Sequence, residues 1–144
     1  MSKVTVDSEK CCGCRICEMA CSMIHLQAFN PRKALLRVEI DRSLTIAAKP
    51  SEIDVPVVCL QCESAPCADV CPTGAIGKTT YGAWVVEAEK CTGCGVCVEN
   101  CSYGMIVVDA GEETARKCDL CQGSPSCVQY CPTQALTFEE SQGG

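Results

Sequence analysis

The stretch E-K-C-C-G-C-R-I-C-E-M-A-C-S-M, residues 9–23, holds five cysteines in eleven positions: Cys11, Cys12, Cys14, Cys17 and Cys21. Eighty residues on, V-E-A-E-K-C-T-G-C-G-V-C-V-E-N-C-S (Val86 to Ser102) aligns without a gap to V-D-S-E-K-C-C-G-C-R-I-C-E-M-A-C-S (Val6 to Ser22). A second pair repeats in the same way. V-C-L-Q-C-E-S-A-P-C-A-D-V-C-P-T-G-A-I (Val58 to Ile76) matches K-C-D-L-C-Q-G-S-P-S-C-V-Q-Y-C-P-T-Q-A-L (Lys117 to Leu136), including a closing C-P-T-x-A. The chain is a tandem duplication with halves at 1–80 and 81–144, each carrying two cysteine motifs. Two copies of a long unit make paired modules rather than a solenoid.

The four motifs are Cys11-x2-Cys14-x2-Cys17-x3-Cys21, Cys59-x2-Cys62-x4-Cys67-x3-Cys71-Pro72, Cys91-x2-Cys94-x2-Cys97-x3-Cys101 and Cys118-x2-Cys121-x5-Cys127-x3-Cys131-Pro132. They use sixteen of the 17 cysteines. The one left over is Cys12, which fills the slot of Thr92 in the repeat, so Cys12 is expected not to be a ligand.

Cysteine makes up 17 of 144 residues, above the roughly 8–10% that marks a fold dependent on its cysteines. Only six residues are aromatic (Phe29, Tyr81, Trp84, Tyr103, Tyr130 and Phe138), a thin supply for a conventional core. The odd cysteine count disfavours full disulfide pairing. The opening M-S-K-V-T-V-D-S-E-K lacks the apolar run of a secretory signal, and no stretch has the roughly 18 apolar residues of a membrane span. A cytoplasmic protein with metal-bound thiolates is expected. A net charge of −6 without a basic run excludes a nucleic-acid-binding surface.

Structural zinc sites join two C-x2-C pairs across a longer loop. Three cysteines within seven residues and a fourth after x3 instead form the bacterial ferredoxin run, whose fourth cysteine ligates a different cluster. Four complete motifs, with no ligand replaced, argue for four [4Fe–4S] clusters. Lys10, Arg15, Lys78, Lys90, Arg116 and Lys117 stand beside ligands and read individually as solvated surface charges, with moderation of the reduction potentials as the alternative. Met19, Met23 and Met105 read as packing around the clusters, Trp84 as core beneath a strand, and His25, the single histidine, as a packed or surface residue on the helix after Cys21.

The expected fold is α+β: tandem duplicated bacterial-ferredoxin-like modules, with short strands and helices wrapped around the clusters. The first half carries an insertion, A-L-L-R-V-E-I-D-R-S-L-T-I-A-A (34–48), read as a hairpin turning at D-R-S. Strands are expected at Val4–Val6, Ala83–Glu87, Met105–Asp109 and Ala135–Glu139. Short helices should follow Cys14, Cys62, Cys94 and Cys121. The longest should run from about Arg15 to Ala28, ahead of Asn30-Pro31.

Four motifs in this order resemble the four-cluster iron–sulfur subunits of molybdenum and tungsten oxidoreductases, such as the beta subunits of dimethyl sulfoxide reductase and formate dehydrogenase. The resemblance covers nearly the whole chain. It implies that the outer motifs exchange ligands with each other, and the inner ones likewise. One cluster would take Cys11, Cys14, Cys17 and Cys131; a second Cys21, Cys118, Cys121 and Cys127; a third Cys59, Cys62, Cys67 and Cys101; a fourth Cys71, Cys91, Cys94 and Cys97. The stretch from Cys14 to Val38 looks like the small electron-transfer subunit of bacterial tungsten aldehyde oxidoreductases and of the related benzoyl-CoA reductases. Ser22 and Ser102 depart from the family by replacing the proline that often follows the fourth cysteine.

No nucleophile–base pair, phosphate loop, flavin fingerprint or nicotinamide fingerprint occurs. The expected chemistry is one-electron transfer between a tungsten- or molybdenum-pterin catalytic subunit and a flavin/NAD subunit or ferredoxin, with further copies of the chain as additional partners. The alternatives are a free polyferredoxin, a subunit of a benzoyl-CoA reductase, formate dehydrogenase or hydrogenase complex, and a zinc-organised interaction module.

Overall fold

The computed structural model describes residues 2–41, 45–46, 49–50 and 53–140. In chain order the elements are β1 (Lys3–Val6), α1 (Ile16–Leu26), β2 (Arg37–Asp41), β3 (Thr45–Ile46), β4 (Lys49–Pro50), β5 (Ile53–Val57), α2 (Pro66–Asp69), β6 (Ile76–Lys78), β7 (Trp84–Val86), α3 (Val96–Asn100), β8 (Ile106–Val107), β9 (Arg116–Lys117), α4 (Ser126–Gln129) and β10 (Leu136–Glu139). This is a small α+β fold of two-stranded antiparallel ribbons and short helices.

The ribbons reveal how the duplication is folded. The inner strands β6 and β7 form a hairpin that pairs Ile76 with Val86. Their repeat equivalents, β10 and β1, lie at opposite ends of the chain, yet pair in the same register, Leu136 with Val6. The helices follow suit, with α1 packed on α4 and α2 on α3. Each packing unit therefore takes one motif from each sequence half. The two halves are not successive lobes, because the N-terminal strand completes the C-terminal motif.

Helix α1 starts after Arg15, which adopts a left-handed conformation (φ 59°), and ends at Gln27 (φ 53°), whose amide donates to the Met23 carbonyl. Asn30 is extended, as the residue before Pro31 must be. The helix buries Cys17, Glu18, Cys21 and Ser22, two i,i+4 pairs on one face. Met19 and Met23 thus fall on the other side and are exposed, contrary to the packing role expected of them; only Met105 is buried. The buried Glu18 carboxylate accepts from the Val38 amide (2.7 Å) and from Arg15 (3.2 Å), tying the insertion to α1.

In the insertion, β2 pairs with β5 (Val38 opposite Pro56) and β3 with β4. The ribbon is thus longer than the expected 34–48 hairpin and reaches Val57. Of the expected turn D-R-S, Arg42 and Ser43 lie outside the described residues. The other four expected strands appear as β1, β7, β8 and β10.

The core is split in two and made of small aliphatics. Val4, Leu35, Leu36, Val38, Val58, Leu120 and Leu136 pack with Cys17, Cys21 and Cys127. Ile76, Ile106 and Ala115 pack with Cys97. Cysteines belong to both cores, so whatever they bind is part of the packing.

Candidate metal centres

The C-x2-C loops curl through left-handed backbone. In the first motif Gly13 (φ 70°) and Arg15 (φ 59°) do this, and in the third Gly93 (φ 70°) and Gly95 (φ 79°) stand in the same places. Gln61 (φ 47°) in the second motif is matched by Leu120 (φ 56°) in the fourth. Successive turns of this kind aim neighbouring cysteines and amides at one point. At Gly93 space is also limiting: a Cβ there would stand 2.7 Å from the Glu113 carbonyl oxygen.

Fourth cysteines receive backbone N–H donors. Cys71 Sγ accepts from the Ala75 amide (3.2 Å) and Cys101 Sγ from Met105 (3.4 Å), each four residues on. Cys21 accepts instead from Leu35 (3.3 Å), because α1 carries the chain onward and only the insertion brings an amide back. In the two C-P-T-x-A turns the threonine hydroxyl joins in, with Thr73 3.6 Å from Cys71 Sγ and Thr133 3.8 Å from Cys131 Sγ. Burial opposes ionisation of Cys71, but the Thr73 hydroxyl and the amides of Ala75, Thr73 and Ile76 outweigh it and hold the thiol below its usual range. Cys131 is lowered likewise, against burial, by the Leu136 amide and the Thr133 hydroxyl. These donors favour the thiolate, the form that binds metal.

Three sets of four ligand cysteines each line a cavity. Cys11, Cys14, Cys17 and Cys131 line one cavity, walled by Val38, Pro56 and Leu136. Cys59, Cys62, Cys67 and Cys101 line another, beside Trp84 and Lys117. Cys71, Cys91, Cys94 and Cys97 line a third, with Ile76, Val86 and Ala115. Burial pushes Cys127 far up, and the thiols of Cys118, Cys121, Cys21 and Cys17 add to it. The groups form a series. Cys127 also feels Cys17 of the first, and Cys118, pushed up to about 12 by burial, feels Cys59 of the next. Cys67 and Cys101 then pack, as Cys91 does, against the small core that contains Cys97 of the last. Burial likewise pushes Cys17 up to about 12, with the Glu18 carboxylate and the thiols of Cys14 and Cys11 adding to it.

Cys12 stands on the rim of the first cavity and is exposed. Cys14 beside it is raised: the Ile16 amide pulls it down, but partial burial and the Cys12 and Cys131 thiols prevail.

Thiols clustered in fours, at least one of each set buried or half-buried, and supplied with amide donors suit a cationic iron–sulfur core, which needs thiolates and offsets their mutual repulsion. Sulfur-only donors between apolar walls match that chemistry. The residues present fit [4Fe–4S] clusters.

Three residues gain roles that spacing did not reveal. Trp84 donates its indole N–H to the Cys62 carbonyl (2.9 Å). His25 is half-buried. Its Nδ1 lies 2.9 Å from the Cys21 carbonyl and its Nε2 2.9 Å from Asp119 Oδ1, which also accepts from the Cys121 amide. The Asp119 carboxylate and then Cys21 raise the imidazole to about 11. Gln61, buried, donates to the Cys118 carbonyl (2.7 Å) and accepts from the Trp84 amide (2.8 Å). The partners lie 94 and 57 residues away for His25 and Gln61, too far for any local pattern to signal them.

Cysteine groups of this kind define an iron–sulfur electron carrier. Residues 52–141 match the family model described as "4Fe-4S dicluster domain". The putative electron transport protein YsaA of Escherichia coli K12 is 39% identical over 92% of this chain and 86% of its own length. The polyferredoxin-like subunit of aliphatic sulfonate oxidoreductase from Pyrococcus furiosus is 39% identical over 89% of this chain and 70% of that subunit. Among solved structures, a chain of the active site complex BamBC of benzoyl coenzyme A reductase is similar with a TM-score of 0.54 and 26% identity, over 100% of this chain and 81% of that one. The chain belongs to the 4Fe–4S dicluster family. It carries 4Fe–4S clusters and is a non-catalytic electron-transfer protein. Among the described residues no helix is long and apolar enough to cross a membrane.

Proposed function

We propose that the chain is the electron-transfer subunit of a cytoplasmic oxidoreductase complex and carries four [4Fe–4S] clusters in series. The first is held by Cys11, Cys14, Cys17 and Cys131, the second by Cys21, Cys118, Cys121 and Cys127, the third by Cys59, Cys62, Cys67 and Cys101, and the fourth by Cys71, Cys91, Cys94 and Cys97. Cys12 is not a ligand. The clusters supply one-electron redox chemistry; the chain's residues ligate them, set their charge environment and insulate them from water.

The observation that supports this reading is the distribution of exposure along the series. Exposed ligand cysteines occur only in the end groups, Cys14 in the first and Cys94 in the fourth. The middle groups have no exposed cysteine and bury Cys21, Cys59 and Cys127, while each end group pairs its exposed cysteine with one buried one, Cys17 and Cys97. A relay that accepts electrons at one end and delivers them at the other has this form, whereas a carrier that exchanges one electron with successive partners needs only one exposed end. The partner at one end is a tungsten- or molybdenum-pterin catalytic subunit, most naturally an aldehyde oxidoreductase. The resemblance of Cys14 to Val38 to such small subunits supports that choice, and the similarity to the polyferredoxin-like subunit of a sulfonate oxidoreductase supports a place in an oxidoreductase complex. A flavin/NAD subunit or ferredoxin meets the other end. A second reading is a free polyferredoxin, with the similarity to YsaA, a putative electron transport protein, in keeping with it.

An anaerobic pull-down with this chain as bait, followed by metal analysis, separates the two. Recovery of a tungsten- or molybdenum-containing partner supports the subunit reading. A monomeric chain that alone shuttles electrons between soluble enzymes supports the polyferredoxin.

A further inference from the structure

Lys117 is 6% exposed, and its ammonium lies within the protein rather than in solvent. It donates to three neutral oxygens: the Trp84 carbonyl (2.5 Å), the Cys118 carbonyl (3.3 Å) and Gln61 Oε1 (3.4 Å). Among the described residues no carboxylate lies within ion-pair distance of it. A buried cation without a counter-ion costs several kcal/mol, so a chain that keeps one has an anion nearby to balance it.

The anion is identified by position. Lys117 lines the cavity of Cys59, Cys62, Cys67 and Cys101, and it immediately precedes Cys118 of the neighbouring group. It therefore sits at the junction of the second and third groups.

The duplication shows that this arrangement is a departure from the basic pattern. The repeat counterpart of Lys117 is Val58, which is buried and apolar. The counterpart of Gln61 is Leu120, also fully buried. Both places are apolar in one copy and polar in the other, and the two polar replacements meet each other across the junction. Lys117 and Gln61 are thus a matched pair, set where the second and fourth motifs touch and nowhere else in the repeat.

Resting on the four-cluster reading, we propose that Lys117 is the fixed counter-charge of the second and third clusters and raises the reduction potentials of both. The physical need is clear. Reduction adds negative charge, and burial in a low-dielectric interior disfavours that charge, so the middle of the series would otherwise be hardest to reduce. A cation between the two clusters offsets that penalty and keeps an electron from facing an uphill step halfway along. Gln61 and the Trp84 carbonyl position the ammonium.

The test is an EPR-monitored redox titration of the anaerobically loaded chain, with iron content measured on each sample. Lys117→Met with full iron should lower two of the four potentials, each by at least tenfold in the reduction equilibrium (about 59 mV for one electron), and leave the other two in place. Lys117→Arg, which keeps the charge, should retain wild-type potentials. If Lys117→Met loads short of iron, Lys117→Gln, neutral but still a donor, carries the same expectation. Full iron with all four potentials unmoved in the neutral variant overturns the proposal, as does an equal shift in Lys117→Arg. A wild-type chain with only half the expected iron contradicts the four-cluster reading itself, a distinct result.

Discussion

The backbone amide of Ala115 donates to Cys91 Sγ across 3.3 Å. Ala115 stands three residues before Cys118, and the residue three before Cys59 is Pro56, which has no N–H to give. Pro56 lines the cavity of Cys11, the counterpart of Cys91. One end of the series therefore has a sulfur hydrogen bond that the other lacks by sequence. Hydrogen bonds to cluster sulfurs raise reduction potentials. Pro56→Ala is expected to raise the potential of one end cluster, by up to about tenfold in its reduction equilibrium, with the remaining three unchanged in the same redox titration. An unchanged set of potentials would show that no donor forms there.

Gly93 and Gly95 test backbone form against space. Both have positive φ, but a Cβ at Gly93 meets the Glu113 carbonyl oxygen at 2.7 Å, and one at Gly95 meets nothing within 4 Å. Gly95→Ala should cost about 1 kcal/mol from conformation alone. Gly93→Ala adds a backbone clash and should cost about 2–4 kcal/mol, seen as a lower thermal midpoint of the loaded protein and loss of iron from one cluster. Equal midpoints for the two variants would remove the steric part of the argument.

Cys11 and Cys12 are adjacent, and only one fits the ligand spacing. Cys12→Ser should leave iron content and visible spectrum unchanged. Cys11→Ser should lose about a quarter of the iron, or leave one cluster altered, since one of four clusters loses a thiolate. The reverse outcome would exchange their roles.

Removal of iron should unfold the chain. Cys17, Cys21, Cys97 and Cys127 are core residues, and the aliphatic groups around them are small. Four thiols facing one another without iron leave a hole and no cross-link. A chelated sample should lose its amide dispersion in NMR and its protection from hydrogen exchange. Native-like dispersion without iron would contradict this.

The cysteine frame could be read from the sequence because ligation demands fixed local spacing. The strand Leu136–Glu139 and the end of α1 before Asn30-Pro31 were equally legible, since alternation and proline act locally. What escaped depends on distant partners. The exposure of Met19 and Met23 follows from which face of α1 meets α4. The pairing of β2 with β5 instead of β3 depends on the whole length of the insertion. The identity of Lys117 was visible, and so was its place beside Cys118. Its burial was not, because that depends on Gln61 and Trp84, 56 and 33 residues away.

The central claim is that sixteen cysteines of this one short chain hold four clusters, and iron and acid-labile sulfide counted on anaerobically isolated protein test it most directly. The account expects roughly 16 irons and 16 sulfides per chain, with visible absorption that bleaches on reduction. About half those values, or stoichiometric zinc with little iron, would contradict it.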